Sequence, residues 1–127
     1  MLYRSVFRIA MGKGMSHADI TGRVNASIAQ SGIQDGLCSV FAASPLCGIM
    51  AGETHKLLME DFKNFFRAVD EKKIYAYPGA AYSHIRASML PRDINVPLSG
   101  GRISASAIIL WEFGEGGERE IVVTILF

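Results

Sequence analysis

His84 stands in the stretch YSHIRASML, residues 82–90, among small and apolar residues at helical spacing. An imidazole titrates near neutral pH, so it can act as a base, an acid or a metal ligand. It can equally be a core histidine with a satisfied hydrogen bond. With Ala80, Ala81, Ala87 and Ser88 nearby, a lone histidine is more often structural than catalytic. Glu53 follows an apolar strand and precedes a helix, where the helix dipole stabilises a carboxylate. SGGR, residues 99–102, puts Gly101 and Arg102 in what could be a miniature anion nest, although a plain hairpin turn is the commoner use of such glycines. Ser44 lies in FAASPLCG. No GxSxG elbow surrounds it and no His–Asp pair accompanies it, so a serine nucleophile is not expected. His17 is read in the first turn of a helix and His55 at the start of another, both near solvent. No two histidines fall at i, i+4 and no carboxylate completes a ligand set, so neither a metal site nor a cofactor is expected. Cys38 and Cys47 form no CxxC pair and read as buried free thiols.

The elements that must position these residues follow from periodicity. LYRSVFRIAM alternates, with Tyr3, Ser5, Phe7 and Ile9 on one face and Arg4 and Arg8 on the other, which predicts a half-buried strand. GKGM breaks it. Ser16 then reads as an N-cap with Asp19 three residues on. Ile20, Val24, Ile28 and Ala29 recur at helical spacing, and Gly32 suits the left-handed position after the helix. LCSVFAA is a buried strand and SPLCGIMAG a shorter apolar run. Leu58, Phe62, Phe65, Phe66 and Val69 form a helical stripe within 54–70. YAYPGAA is a loop, and residues 82–90 make a short helix stopped by Pro91. DINVPL tolerates Pro97 only at an edge or terminus. Residues 102–113 are strand-rich, GEGGE is a hairpin loop, and REIVVTILF closes the fold. The expected order is β-α-β-β-α-α-β-β-β, an α+β arrangement and not a wound parallel sheet.

A chain of 127 residues is one domain, 1–127, long enough to bury its own core. Half the residues are hydrophobic and mean hydropathy is +0.24, high for a small domain. No apolar run reaches the roughly 20 residues of a membrane helix, so no membrane partner is expected. The surplus apolar surface is expected in a subunit interface. A net charge of +1, with scattered basic residues, argues against nucleic acid. Arg4 and Arg8 interrupt the first apolar stretch, so no signal peptide is read and a cytoplasmic location is expected.

SHIRASMLPRDINVPLSGGRI resembles the YjbQ family, small proteins also called secondary thiamine-phosphate synthase-like. That family carries a segment of type [AS]-H-[LI]-[KR]-[AS]-[AS]-[LM]-[LM]-G, then V-P-V, then G-[RL]-[IL]. Here SHIRASML matches, with Pro91 where the glycine usually stands, and NVPLSGGRI matches too. GLCSVFAASPLCGIMAGE has the layout of the family's strand, its H-T-[ST]-A motif and its N-E pair. The C-terminal E…R.I.V.I also fits. The resemblance spans most of residues 2–127 and is dense over 83–103.

The departures fall on the polar positions. Ser44 takes the place of the first family histidine, Tyr77 lies near the second, and only His84 keeps the third. G-T-W-Q falls on residues 106–109, so its amide position becomes Ile109, and Gly52 replaces an asparagine beside Glu53. Ser44 and Tyr77 are poor ligands for soft divalent ions. The resemblance implies an α+β fold, with β-sandwich-like mixed sheets, two main helices and one short helix outside, and a homotrimer. It implies an enzyme acting on a small phosphorylated or heterocyclic molecule, linked to weak thiamine-phosphate synthase-like activity. His84 would be base or acid and Glu53 its charge partner. Arg102 with Gly101 would clamp an anion, and Ser44 and Tyr77 would line the substrate site. The alternative is a catalytically inactive ligand-binding or structural oligomer, favoured by the lost histidines.

Overall fold

The computed structural model describes residues 1–104 and 106–127. Among them, eight strands and three helices run in the order β1 (Leu2–Met11), β2 (Ser16–Asp19), α1 (Thr21–Ser31), β3 (Gly36–Ala42), β4 (Cys47–Ala51), α2 (Lys56–Phe66), α3 (Ala81–Ser88), β5 (Asp93–Ser99), β6 (Arg102–Ile103), β7 (Ile108–Glu112) and β8 (Gly117–Leu126). The larger sheet has the order β1-β8-β3-β5-β6 and the smaller β2-β7-β4. Every pairing is antiparallel. This is the expected α+β sandwich with helices outside.

The larger sheet alternates as its sequence does. Ile121, Val123 and Ile125 of β8 are fully buried, whereas Val122 and Thr124 between them face outward. The inner faces of both sheets meet with Val24 and Ile28 of α1 in one core, which also holds Cys38, Val40, Ile49, Ile108 and Leu110. A second core lies on the far side of the smaller sheet. There Ile109, Trp111 and Phe113 are covered by Met59 and Phe66 from α2 and Ala87 from α3. β7 is therefore buried on both faces, which explains its unbroken apolar run. Phe66 sits edge-on to Trp111 at 5.1 Å and to Phe113 at 4.8 Å. Such pairs add about 0.5–1.5 kcal/mol each beyond area burial.

The first helix begins later than the sequence reading has it. Ser16 is not an N-cap: residues 16–19 form β2 and pair with β7, and the Ser16 hydroxyl donates to the Gly12 carbonyl at 2.7 Å. Asp19 organises the helix entry instead, its Oδ1 accepting from the Thr21 N–H at 2.9 Å and from the Thr21 hydroxyl. His17 accordingly lies in a strand and not in a first helical turn. It is exposed, as expected, with its ring 4.9 Å from Trp111; partial desolvation against that ring lowers its pKa, helped by Lys63 and opposed by Glu60. Gly32 does adopt the left-handed conformation, at φ 71°. Residues 102–113 hold two strands, β6 and β7, on different sheets.

Two buried charges tie layers together. Glu112, at the end of β7, is fully buried. Arg119 of β8 grips it with Nε at 2.5 Å and Nη2 at 2.9 Å, the Gly114 N–H donates at 2.9 Å, and the Cys47 thiol points at it from 3.3 Å. Burial pushes the Glu112 pKa up, but the Arg119, Gly114 and Cys47 hydrogen bonds outweigh it and hold the carboxyl below its usual range. Arg86 of α3 is the second. Its Nε donates to the Phe66 carbonyl at 3.0 Å, Nη2 to Val69 at 2.9 Å and Nη1 to Glu71 at 3.0 Å. It gives the Phe66 carbonyl at the end of α2 a second donor beside the Val69 N–H at 3.1 Å, and it fixes the turn beyond. Cys38 and Cys47 are free and buried.

Candidate functional site

α3 turns Ser83, Arg86 and Ala87 inward, where they are buried, and leaves His84 and Ile85 on its exposed flank. The preceding loop supplies two tyrosines. The Tyr75 hydroxyl donates to the Asp70 carbonyl at 2.6 Å, and the Lys72 N–H to Asp70 Oδ1 at 2.8 Å, so the loop is held at its start. Tyr77 lies edge-on to His84, with ring centroids 5.5 Å apart and planes at 78°. Gly79 permits this: a Cβ there would stand 2.8 Å from Tyr77 Cε2.

Tyr75, Ala76, Tyr77, Ala81, His84 and Ile85 line a cavity of about 480 Å³ beside α3. Its lining has no aspartate, glutamate, lysine or arginine. Tyr77 is 56% exposed and Ile85 40%, so the cavity opens to solvent. The volume suits a small molecule. The walls offer an aromatic face, an imidazole and phenol oxygens, which suits stacking plus one or two directional hydrogen bonds.

Of the residues singled out in the sequence, the structure brings His84 and Tyr77 together. The others lie off this cavity. Ser44 sits in the turn between β3 and β4, where its Oγ accepts the Leu46 N–H at 3.1 Å. Glu53 is exposed two residues ahead of His55, the N-cap of α2, whose Nδ1 accepts the Leu57 N–H at 3.2 Å. Gly100 and Gly101 have φ 61° and 77°, as a tight β5–β6 hairpin requires, and the Gly101 N–H donates to the Gln34 carbonyl at 2.9 Å. Arg102 is exposed on β6. Among the described residues, no hydrogen bond or salt bridge joins His84, Glu53 and Arg102. Among them too, no three His, Cys, Asp or Glu side chains gather to hold a metal ion. Ile109 is buried in the second core beside Trp111, whose Nε1–H points at Met50 Sδ from 3.2 Å.

Sequence reading missed Tyr75, Ala76, Ala81 and Ile85 as lining. Two tyrosines one residue apart in YAYPG, next to a glycine and a short helix, were the available signal.

The family described as UPF0047 protein YjbQ-like matches residues 5–127. No curated protein matches the chain. A YbjQ-like protein of unknown function from Sulfolobus solfataricus P2 is similar in structure, with TM-score 0.89 and 26% identity over 98% of this chain and 96% of that one. A hypothetical protein from Aeropyrum pernix K1 superposes with TM-score 0.90 at 21% identity, covering 98% of each chain. An uncharacterized conserved protein of the YjbQ/UPF0047 family from Clostridium acetobutylicum does so with TM-score 0.85 at 22% identity, covering 96% of this chain and 99% of that one. The latter two share the fold with this chain. With its family match running from Ser5 to the last residue, and this sandwich underneath, the chain belongs to the YjbQ-like UPF0047 family.

Proposed function

We propose that this YjbQ-like chain is a ligand-binding protein whose cavity beside α3 takes a small uncharged heteroaromatic molecule, and that it has lost the chemistry the family resemblance implies. The observation that carries this reading is the lining: Tyr75, Tyr77, His84 and Ile85 with two alanines, and no charged side chain. An anionic ligand placed there would lose its hydration without gaining a cation. Catalysis by His84 would need a charge partner and an anion clamp, and Glu53, Gly101 and Arg102 lie elsewhere on the chain. His84 serves instead as one hydrogen-bonding anchor and Tyr77 as an aromatic wall.

The protein acts as a homo-oligomer, in the trimeric form the resemblance implies. The exposed Leu2, Val6, Leu37, Phe41 and Leu126 on the outer face of the larger sheet support an interface there. A reducing cytoplasm suits its two free thiols.

The test is an NMR titration with a heteroaromatic alcohol and, separately, its phosphate monoester. Tighter binding of the alcohol, with shifts at Tyr77 and His84 that vanish in His84→Ala, supports this reading. Tighter binding of the phosphate ester, with turnover, overturns it in favour of a phosphorylated-ligand enzyme of the thiamine-phosphate synthase-like kind.

A further inference from the structure

A second cleft of about 480 Å³ lies between the inward flank of α3 and the β1–β2 and β7–β8 loops; each loop crosses from one sheet to the other, so GEGGE is not the hairpin loop its sequence predicts. It shares no lining residue with the cavity beside His84. The Gly14 N–H donates to the Gly114 carbonyl at 2.8 Å, which fastens the two loops into one wall. Met15 and Phe113 give that wall an apolar stretch. Met15 holds φ 39°, among the described residues the one non-glycine value above zero. Side chains are held in that region when the surroundings require it, and such sites cluster where ligands bind.

The polar groups of the cleft are paired by sign. Lys13 faces Glu115 at 3.5 Å across the mouth, and Arg86 faces Glu71 at 3.0 Å inside. Two positive and two negative groups sum to zero, so a simple ion gains no net field. Several bonding positions are nevertheless open. Arg86 is 3% exposed and uses three N–H groups of the five that a guanidinium carries. Glu71 engages it through Oε1 alone. Ser83 is 4% exposed, lines the cleft, and makes no side-chain hydrogen bond among the described residues. No buried side-chain oxygen or nitrogen among the described residues lacks a partner, so the Ser83 hydroxyl keeps access to the cleft.

We propose that this cleft binds a zwitterionic α-amino acid with an apolar side chain. Lys13 and the spare Arg86 N–H groups meet the carboxylate, and Glu71 and Glu115 meet the ammonium. The Ser83 hydroxyl completes the polar set, and the side chain lies on Met15 and Phe113. Separated charges of both signs beside an apolar wall fit a ligand carrying both signs on an apolar body, and fit neither half alone.

The experiment is a heteronuclear NMR titration of the full chain at pH 7 with L-phenylalanine, L-methionine and L-leucine. Phenethylamine and 3-phenylpropanoate serve as the single-charge controls. Saturable shifts centred on Ser83, Gly114 and Met15 are expected with at least one amino acid. Each control should bind about threefold more weakly or worse, because it leaves one sign of a largely solvent-exposed lining unmatched. Ser83→Ala and, on the surface, Lys13→Gln should each weaken binding about threefold or more. The proposal is overturned if no amino acid saturates, if the controls bind as well, or if the shifts centre on Tyr77 and His84.

Discussion

Replacing Arg119 by methionine keeps the length of the side chain and removes its charge. In the native protein the guanidinium makes two hydrogen bonds to a carboxylate with no exposure to solvent. The variant leaves Glu112 with the Gly114 N–H and the Cys47 thiol as its partners. Stranding one charge of a buried pair costs about 3–5 kcal/mol. At about 2.1 cal/mol/K of unfolding entropy per residue, 127 residues convert this into a fall in Tm of about 11–19 °C. The pH dependence is the sharper signature. In the native protein Glu112 is held below its usual 4.5, so its stabilisation is present above pH 4.5 and is lost as pH falls through the lower native value. In the variant, burial dominates and raises the same carboxyl. The penalty is then largest at pH 7 and shrinks as the pH falls and Glu112 takes up a proton. Urea unfolding of both proteins at pH 7 and pH 5 measures this. A loss below about 1 kcal/mol at pH 7, or one equal at both pH values, refutes the view that Arg119 neutralises a buried charge.

Arg86→Lys keeps the charge but cannot span the Phe66 and Val69 carbonyls together with Glu71, so a loss of about 2–3 kcal/mol in urea unfolding is expected. Amide exchange should rise first at the end of α2. His17 has a lowered native pKa, so its contribution is present above pH 6.5 and is lost as pH falls through the native value. Thermal scans between pH 5 and pH 7.5 should show that slope, and His17→Phe should flatten it. Burial pushes the Cys38 thiol up to about 11 and the Cys47 thiol, with Glu112 beside it, up to about 12. Neither should react with iodoacetamide in the folded protein at pH 8, and both should in urea, as counted by mass spectrometry.

Sequence alone carried the sandwich a long way. The strict alternation of β1 and β8, the continuous apolar run of β7 and the stripe of α2 each have a single structural solution. β2 was hidden because Ser16 and Asp19 look like helix-entry residues. What decides against a helix at Ser16 is the exposed edge of β7, a partner nearly a hundred residues away. The Glu112–Arg119 pair was equally hidden, since nothing local in WEFGEGGER says which acid faces inward. At the site, His84 and Tyr77 were legible through the family pattern. Tyr75 and Ile85 were not, because a cavity made by a loop folding against a helix leaves no periodicity to read.

The position of β8 has a consequence for how the chain reaches this state. It lies between β1 and β3, yet it follows every other strand in the sequence. Until it arrives, the larger sheet is split. β1 has no partner in that sheet, and β3 presents an open edge beside apolar Leu37 and Phe41. Closing the β1–β8 ladder, from Met11↔Gly117 to Leu2↔Leu126, joins segments more than a hundred residues apart. By the logarithmic loop law that costs about 4 kcal/mol before a single ladder bond returns it. Such non-local pairing folds in the slow, millisecond-to-second range. Nascent or refolding chains therefore pass through a state with two sticky strand edges, where aggregation competes with insertion of the last strand.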